Sequence, residues 1–383
     1  MVFFGSRFGG GALRRLASRG AVPVAAAFLV QQQQQQPRAK SESLKPEKIA
    51  EDAWTLNKLG PPRVHRIVIT GGPCAGKTTA MSKLSLRLEN MGFAVYVVPE
   101  LATLTITAGA NPGGYDREAF VAWETAILRA QMELEDTMAE IAKNCTPSTH
   151  AVLLCDRGTM DVLAYVGRET FQEILEENNW TVPQLRDKRY NVVIHLVTAA
   201  IGAEDFYTLE NNKARYETVT EAVALDFRLS RAWIGHNSLH IIENSGSGFE
   251  EKMIRCTTAV CEALGVPAPR ARPRWWIVDA DLSAFGTRGS PGIVDFAEWE
   301  LTHTFLKTTD GSESRVTKKS QPQSTTFHLR LQGELVRGEQ SVSERTLSYR
   351  EYKTLLAEAD PSRTPIVKNR KAFIWNNEYV LLF

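Results

Sequence analysis

Short apolar runs alternate with longer amphipathic segments through the first two thirds of the chain. The apolar runs lie at residues 64–70, 94–99, 151–155, 192–197 and 239–242. Apolar residues recur with helical spacing at residues 77–90, 117–143 and 249–264. Short continuous apolar runs are typical of parallel strands that are buried on both faces. The alternation therefore predicts an α/β domain at residues 62–267, with a doubly wound parallel sheet and right-handed crossovers.

The pattern changes after residue 267. The next segment concentrates proline and arginine, and we interpret residues 268–292 as a linker. Beyond it, apolar and polar residues alternate in short runs at 297–306, 314–319, 325–332, 341–347, 373–375 and 379–383. This alternation predicts a mostly antiparallel β domain at residues 293–383, interrupted by one helix at residues 349–359. Because the chain stops at Phe383 inside an apparent strand, we expect this domain to lack a closing strand.

Composition narrows the classes of partner. The 383 residues include 45 Lys and Arg and 44 Asp and Glu, so the net charge of +1 gives no overall attraction to nucleic acid, and we expect no nucleic-acid partner. The five cysteines show neither metal-ligand spacing nor a disulfide framework, which favours a reducing compartment. No stretch reaches the roughly 20 apolar residues that span a bilayer. Membrane contact would therefore be peripheral.

Residues 1–48 differ from the rest of the chain. They carry several arginines, among them Arg7, Arg14 and Arg19, and no acidic residue before Glu42. An Arg-rich leader without acids is typical of import into an organelle such as the mitochondrion. The alternative is a disordered arm that carries no address, in which case we expect a cytoplasmic protein that is peripheral to membranes.

A phosphate-binding motif follows the first apolar run. Residues 71–78 match G-x-x-x-x-G-K-[ST] and lie between a predicted strand and a predicted helix, as a P-loop (Walker A) requires. Glycines allow successive N–H groups to point at phosphate oxygens, Lys77 neutralises the β- and γ-phosphates, and the Thr78 hydroxyl binds Mg²⁺. The predicted nucleotide-binding residues are Gly71, Gly72, Pro73, Cys74, Ala75, Gly76, Lys77, Thr78 and Thr79.

Three polar residues follow the next two strands, at the edge of the sheet where open α/β sheets bind ligands. Asp156 occupies the Walker B position and is predicted to hold Mg²⁺ together with Thr78. Arg157 is expected to steady a phosphate on the acceptor side. Glu100 is a candidate general base for an acceptor hydroxyl; alternatively, its carboxylate bonds a neighbouring loop.

A lid is predicted between the fourth and fifth strands. Basic residues fall there, and Arg215 is the candidate that would reach a reacting phosphoryl group. The predicted catalytic residues are therefore Lys77, Glu100, Asp156, Arg157 and Arg215. No Asn-Lys-x-Asp guanine signature occurs, so the sequence leaves GTP and ATP open as ligands.

These motifs resemble those of known families of P-loop proteins. Residues 71–79, 97–100, 155–158 and 215–217 resemble the AAA-type P-loop domain of ribosylnicotinamide-kinase-like proteins and of the TRPL translocation defect protein family. In the latter family a CYTH-like, or triphosphate-tunnel, β domain follows, and residues 296–303, 349–352 and 368–373 are similar to it. The resemblance spans residues 64–383. It implies binding of GTP, and binding of phosphoinositides in vesicle or channel trafficking.

The β domain departs from the tunnel enzymes at one position. Tunnel enzymes carry Glu-x-Glu-x-Lys on the first strand, whereas this chain has Glu298, Glu300 and Thr302, which argues against triphosphate hydrolysis. Glu298 and Glu300 remain an alternative metal site. Cations on alternate strand positions predict a pocket for a polyphosphate or an inositol phosphate, unless they lie on outer faces beside acids. The predicted polyanion-binding residues are Arg315, Lys319, Arg330, Arg345, Lys368 and Arg370.

Two functions follow from these residues. The first is a nucleotide-dependent module that binds a nucleoside triphosphate with Mg²⁺ and recognises a phosphoinositide or another polyphosphate through its C-terminal domain. The second is a small-molecule kinase that phosphorylates a nucleoside-like hydroxyl, with Glu100 as base and Arg157 and Arg215 as clamps.

Overall fold

The computed structural model describes residues 2–5, 61–207, 218–245, 248–266, 268–269, 274–277, 295–308, 313–322, 324–336, 339–375 and 378–382. Two sheets organise these residues. The predicted Arg215, residues 6–48 of the predicted leader and most of the predicted linker lie outside them. Among the helices that the structure describes, none has the length and hydropathy that crossing a bilayer requires.

The first sheet is parallel. Within the described residues its strands are β2 (Val64–Thr70), β3 (Ala94–Val98), β4 (Ala151–Asp156), β5 (Val192–Leu196) and β6 (Leu239–Ile242). They pair in the order β3-β4-β2-β5-β6, and every pair is parallel. Strands β4 and β5 are buried almost throughout because helices cover both faces of the sheet. The doubly wound α/β prediction is therefore confirmed.

The helices of this domain follow their strands in chain order. They are α1 (Lys77–Asn90), α2 (Leu101–Thr107), α3 (Arg117–Cys145), α4 (Val162–Val166), α5 (Arg168–Glu177), α6 (Val182–Leu185), α7 (Val219–Ala232) and α8 (Phe249–Leu264). Side chains fix where the long ones begin. The carboxylate of Asp116 accepts from the backbone N–H of Ala119 at the start of α3, and Thr218 and Glu221 form a capping box at the start of α7.

The second sheet is antiparallel. Its C-terminal strands are β8 (Phe296–Phe305), β9 (Ser314–Gln321), β10 (Ser324–Val336), β11 (Glu339–Leu347), β12 (Ile366–Trp375) and β13 (Glu378–Leu382), and helix α9 (Tyr349–Leu356) interrupts them. This confirms the predicted antiparallel β domain. The described strands pair in the order β11-β10-β9-β8-β12-β13-β1-β7, where β1 is Val2–Gly5 and β7 is Arg274–Ile277. Strand β7 forms one edge of this sheet and β1 lies beside it, and neither of these two strands is predicted from the sequence.

The two domains meet through buried polar contacts. The ammonium of Lys319 on β9 lies 3.0 Å from a carboxylate oxygen of Asp187 and donates to the carbonyl of Gly235, just beyond α7. Both charged side chains are buried, with exposed fractions of 0% and 1%. The hydroxyl of Tyr379 on β13 accepts from the backbone N–H of Gly235 and donates to the carbonyl of His236. One face of the second sheet therefore packs on the end of α7.

Candidate nucleotide-binding site

The P-loop bends sharply between β2 and α1. Gly71, Cys74 and Gly76 have φ angles of 139°, 55° and 90°, which lie in the region that favours glycine. A Cβ atom at Gly71 would lie 2.0 Å from the carbonyl oxygen of Leu196, so the loop presses directly against the end of β5. The loop therefore has the conformation that turns successive N–H groups toward an anion at the start of α1.

A buried aspartate fixes one side of this loop. Oδ1 of Asp226, on α7, accepts from the backbone N–H groups of Gly72 at 2.8 Å and Thr198 at 2.9 Å, while Oδ2 lies 3.1 Å from His195 Nε2. Burial opposes ionisation, but His195 and the two N–H donors hold the pKa of this carboxyl below its usual value. Asp226 is missing from the sequence prediction because its role depends on a contact between residues 154 positions apart.

A buried lysine, Lys252, holds the other side of the P-loop in place. Lys252 on α8 is 2% exposed, and its ammonium donates to the carbonyls of Ala75 at 2.9 Å and Val197 at 2.6 Å and to Oδ1 of Asn244 at 2.8 Å. Burial lowers the pKa of Lys252 to about 8. Sequence reasoning missed this residue too, although a lysine on the apolar face of a helix is a detectable signal.

Of the predicted nucleotide-binding residues, 73–79 line one cavity of about 970 Å³, whereas the buried Gly71 and Gly72 do not. Lys77 Nζ donates to the carbonyls of Gly71 at 3.0 Å and Gly72 at 3.1 Å, and Thr78 and Thr79 are exposed. Burial, followed by the charge of Arg157, lowers the pKa of Lys77 to about 8. An arriving phosphate would give this ammonium a stronger partner than two neutral carbonyls.

Asp156 and Thr78 suit Mg²⁺. Asp156 is at the end of β4, and its buried Oδ1 accepts no hydrogen bond from any residue that the structure describes. Burial raises the pKa of this carboxyl, and Lys77 counteracts the effect. No group of three or more His, Cys, Asp or Glu side chains in the described ranges could hold a metal alone. The oxygen donors therefore fit an ion that shares its coordination with phosphates and water, as Mg²⁺ does.

Glu100 and Arg157 form an ion pair across the cavity. Arg157 Nε donates to Oε1 of Glu100, and the hydroxyl of Thr103 donates to Oε2 at 2.7 Å. Arg157 has a φ of 69° and lies over the ring of Tyr165. Although burial opposes it, the charge of Arg157, followed by that of Lys77, lowers the pKa of Glu100 to about 2. Glu100 therefore bonds the loop that follows β4, and its role as a general base stays a prediction.

The cavity continues beyond this ion pair to α3. Phe120, Trp123, Glu124 and Ile127 of that helix line it, together with Tyr165 of α4. Glu124 is 5% exposed, and burial raises its pKa to about 7. Sequence reasoning missed Glu124, although an acid beside buried apolar residues of an amphipathic helix is a signal that could have identified it.

Four of the predicted polyanion-binding residues lie on one face of the second sheet. The register pairs Arg330 with Arg315, and strand β12 presents Lys368 and Arg370 on the same face. Burial, followed by the charges of Arg315, Arg370, Lys368 and Arg330, lowers the pKa of His303 to about 3. These four cations therefore share one sheet face with the buried imidazole of His303.

The other two predicted polyanion-binding residues, Lys319 and Arg345, do not join these four cations. Lys319 shares the face, but its ammonium is bound to Asp187 at the domain interface. Arg345 pairs with Leu329 on the opposite face and donates to Glu351 at 2.8 Å. Glu298 also lies on the opposite face, where Lys371 approaches it at 2.6 Å.

Of the comparisons with known proteins, the match to a family model agrees with the P-loop. Residues 66–252, slightly less than half of the 383-residue chain, match the sequence model of a protein family described as an AAA domain. No curated protein matches the chain significantly. Among solved structures the chain is similar to thymidylate kinase from Ehrlichia chaffeensis, with 15% identity, a TM-score of 0.31, and coverage of 51% of this chain and 97% of that one. The family match and the loop geometry together identify a P-loop nucleotide-binding domain at residues 66–252.

Proposed function

We propose that this protein transfers the γ-phosphoryl group of ATP or GTP, bound with Mg²⁺, to a hydroxyl of a small nucleoside-like acceptor. The observation that carries this proposal is the extent of the cavity, which starts at Lys77 and continues past Glu100 and Arg157 to Trp123. Its volume of about 970 Å³ leaves room for a second ligand beside a triphosphate. A switch that only exchanges GTP needs no second compartment.

The residues around the phosphates act mainly by position and charge. Loop N–H groups and Lys77 hold the β- and γ-phosphates, and Thr78 and Asp156 hold Mg²⁺. The metal ion neutralises charge that develops on the phosphate oxygens. Arg157, and Arg215 from the predicted lid, stabilise the charge on the transferred group.

The proton of the acceptor hydroxyl goes to Glu100. Although burial opposes it, the charge of Arg157 keeps the Glu100 carboxylate ionised and therefore able to accept this proton. The acceptor oxygen then bonds the γ-phosphorus as the bond to the β–γ bridging oxygen breaks. The nucleoside diphosphate leaves.

A panel assay tests the proposal. Purified protein is incubated with Mg²⁺, with either ATP or GTP, and with one acceptor at a time. The acceptors are uridine, cytidine, inosine, adenosine and nicotinamide riboside, and mass spectrometry identifies the products. We expect an acceptor with one added phosphoryl group, and no product with Lys77→Ala. Release of inorganic phosphate without any phosphorylated acceptor would contradict a kinase.

A second function rests on the cations around His303. Arg315, Arg330, Lys368 and Arg370 on one sheet face support binding of a phosphoinositide head group or another polyphosphate. With the resemblance to the TRPL translocation defect protein family, this supports peripheral membrane contact in trafficking. Co-sedimentation with phosphoinositide vesicles, and competition by inositol hexakisphosphate, tests it.

The charge-reversal variants separate a site from general attraction. We expect the double variant Arg330→Glu and Lys368→Glu to lose binding, while Lys307→Glu with Lys353→Glu, which changes the charge equally at exposed positions, retains it. Equal loss in both double variants would indicate non-specific electrostatics. Import directed by residues 1–48 remains a separate proposal, tested by imaging a fluorescent fusion of that segment.

A further inference from the structure

Glu124 is a buried side chain whose carboxylate interacts with the charge of Arg157 but forms no hydrogen bond with a residue that the structure describes. It is 5% exposed, it lines the cavity, and it accepts no hydrogen bond from any residue in the described parts of the chain. A buried carboxylate without a donor costs free energy. The same helix offers a contrast, because Glu135, which is also buried, accepts from Gln131 and Tyr190 and pairs with Arg189 at 3.0 Å.

Two other carboxylates that line the cavity, Asp161 and Glu100, have hydrogen-bond partners, whereas the unpartnered Oδ1 of Asp156 belongs to the proposed Mg²⁺ site. Asp161 accepts from the Thr70 hydroxyl at 2.7 Å and from Trp233 Nε1 at 2.7 Å, so it holds the turn after β4 together. Glu100 is bound to Arg157 and to Thr103. Glu124 is therefore available to bind a ligand in a way that Asp161 is not.

A hydrogen-bond donor lies in the same cavity. Arg157 uses Nε to bind Glu100, but its Nη1 is buried and has no partner among the described residues. Glu124 and Arg157 line the same cavity, and the charge of Arg157 acts against the rise in the pKa of Glu124 that burial causes. An open acceptor beside an open donor is complementary to a ligand edge that carries one donor next to one acceptor.

The surrounding walls suit a flat ring. Phe120 and Trp123 of α3 lie with their ring centroids 5.9 Å apart, and Tyr165 lines the cavity beneath Arg157. Aromatic walls contribute stacking surface and tolerate different ring systems. The hydrogen-bonding groups and the aromatic walls together suit a heteroaromatic ring. A sugar diol could use the hydrogen-bonding groups but needs no aromatic wall.

We propose that Glu124 determines which acceptor is bound, because its carboxylate forms a hydrogen bond with the lactam edge of a nucleoside base. This proposal rests on the kinase function above. In this arrangement the ring N–H donates to the Glu124 carboxylate, and the adjacent ring carbonyl accepts from Nη1 of Arg157. Uridine and inosine carry such an edge. A ring nitrogen that bears a methyl group does not.

The protonation of Glu124 agrees with such a role. Burial, and secondarily the negative charge of Asp161, raises its pKa to about 7, while Arg157 acts in the opposite direction. Tyr165, Glu100, Lys77 and Asp156 are further titratable groups that interact with Arg157. Affinity for a lactam is therefore expected to weaken below about pH 7, because the protonated carboxyl loses its charge.

The test measures binding separately from catalysis. The shift in melting temperature caused by uridine, N3-methyluridine, inosine and 1-methylinosine is recorded for full-length wild type, Glu124→Gln and Glu135→Gln, in the presence of Mg²⁺ and a non-hydrolysable ATP analogue. We expect uridine or inosine to stabilise wild type and the N-methylated forms to have no effect. Glu124→Gln should weaken the apparent affinity about tenfold and abolish its dependence on pH, whereas Glu135→Gln leaves the affinity unchanged.

The outcomes separate this inference from the kinase proposal. Binding that depends on Glu124 without phosphorylated product would refute the kinase and keep the acceptor site. Phosphorylation that is equally efficient for uridine and N3-methyluridine, or unaltered affinity in Glu124→Gln, would overturn the role of Glu124 while the kinase stands. If no lactam nucleoside shifts the wild-type melting temperature, the proposed recognition is wrong.

Discussion

Replacing Glu124 by glutamine is expected to stabilise the protein above neutral pH. Glutamine keeps the size of the side chain and removes a buried negative charge that has no hydrogen-bond donor among the described residues. A site that binds ligands often reduces stability in this way. A structural carboxylate would behave in the opposite manner, since its removal breaks bonds that hold the fold.

The magnitude follows from the pKa. Burial raises the pKa of Glu124 from 4.5 to about 7, and each pKa unit corresponds to about 1.4 kcal/mol. The folded state retains its proton between these values while the unfolded state has lost it, so stability falls as pH rises from 4.5 to about 7. The full cost, about 3 kcal/mol, is therefore present above pH 7 and absent well below pH 4.5.

Urea unfolding at pH 5, 6, 7 and 8 measures this difference. We expect the free energy of unfolding of Glu124→Gln to exceed that of wild type by an amount that grows with pH and reaches about 3 kcal/mol at pH 8. Glu135→Gln is the matched control on the same helix, and it should be less stable than wild type because it weakens the pairing with Arg189 and Tyr190. A difference for Glu124→Gln that does not depend on pH, or a loss of stability at pH 8, would refute the reasoning.

Three further variants test the site and the interface. Asp156→Asn should still bind nucleotide but lose the gain in affinity that Mg²⁺ gives to wild type, as measured by titration with a fluorescent nucleotide; an unchanged gain would remove Asp156 from the metal site. Lys252→Met should lower the free energy of unfolding by about 2 kcal/mol and weaken nucleotide binding, because the carbonyls of Ala75 and Val197 lose a charged donor, and urea unfolding checks this. Lys319→Met should destabilise the protein by about 2 kcal/mol, since Asp187 loses one of its two buried cationic partners and keeps Arg186; calorimetry that shows no loss would mean that the Lys319 contact contributes little.

The parallel sheet could be predicted because a strand that is buried on both faces has a short continuous run of apolar residues in the sequence. Val64–Thr70 and Leu239–Ile242 are strands with the predicted bounds, and the strand predicted at residues 94–99 ends one residue earlier, before Pro99. Strand β12 was harder to predict. It begins at Ile366 and not at residue 373, because polar residues occupy a partly exposed face of the sheet and obscure the alternation.

In the candidate site, too, some residues could be predicted from the sequence and others could not. Lys77, Thr78 and Asp156 could be predicted because local spacing within a strand-turn-helix places them at one edge of the sheet. Asp226 and Lys252 could not, because their function is to hold the loop from helices that lie far along the chain. Period-two spacing alone could not show that Lys319 would be bound by a carboxylate of the other domain.

The central claim is that the loop at residues 71–79 holds a nucleoside triphosphate with Mg²⁺. Calorimetric titration of the full-length protein with ATP and GTP, with and without Mg²⁺, measures it directly, with Lys77→Ala as the control. We predict a single binding event with at least one of the two nucleotides, tighter with Mg²⁺ and at least tenfold weaker in Lys77→Ala. The absence of binding heat in wild type with either nucleotide, or equal affinity in the variant, would contradict the account.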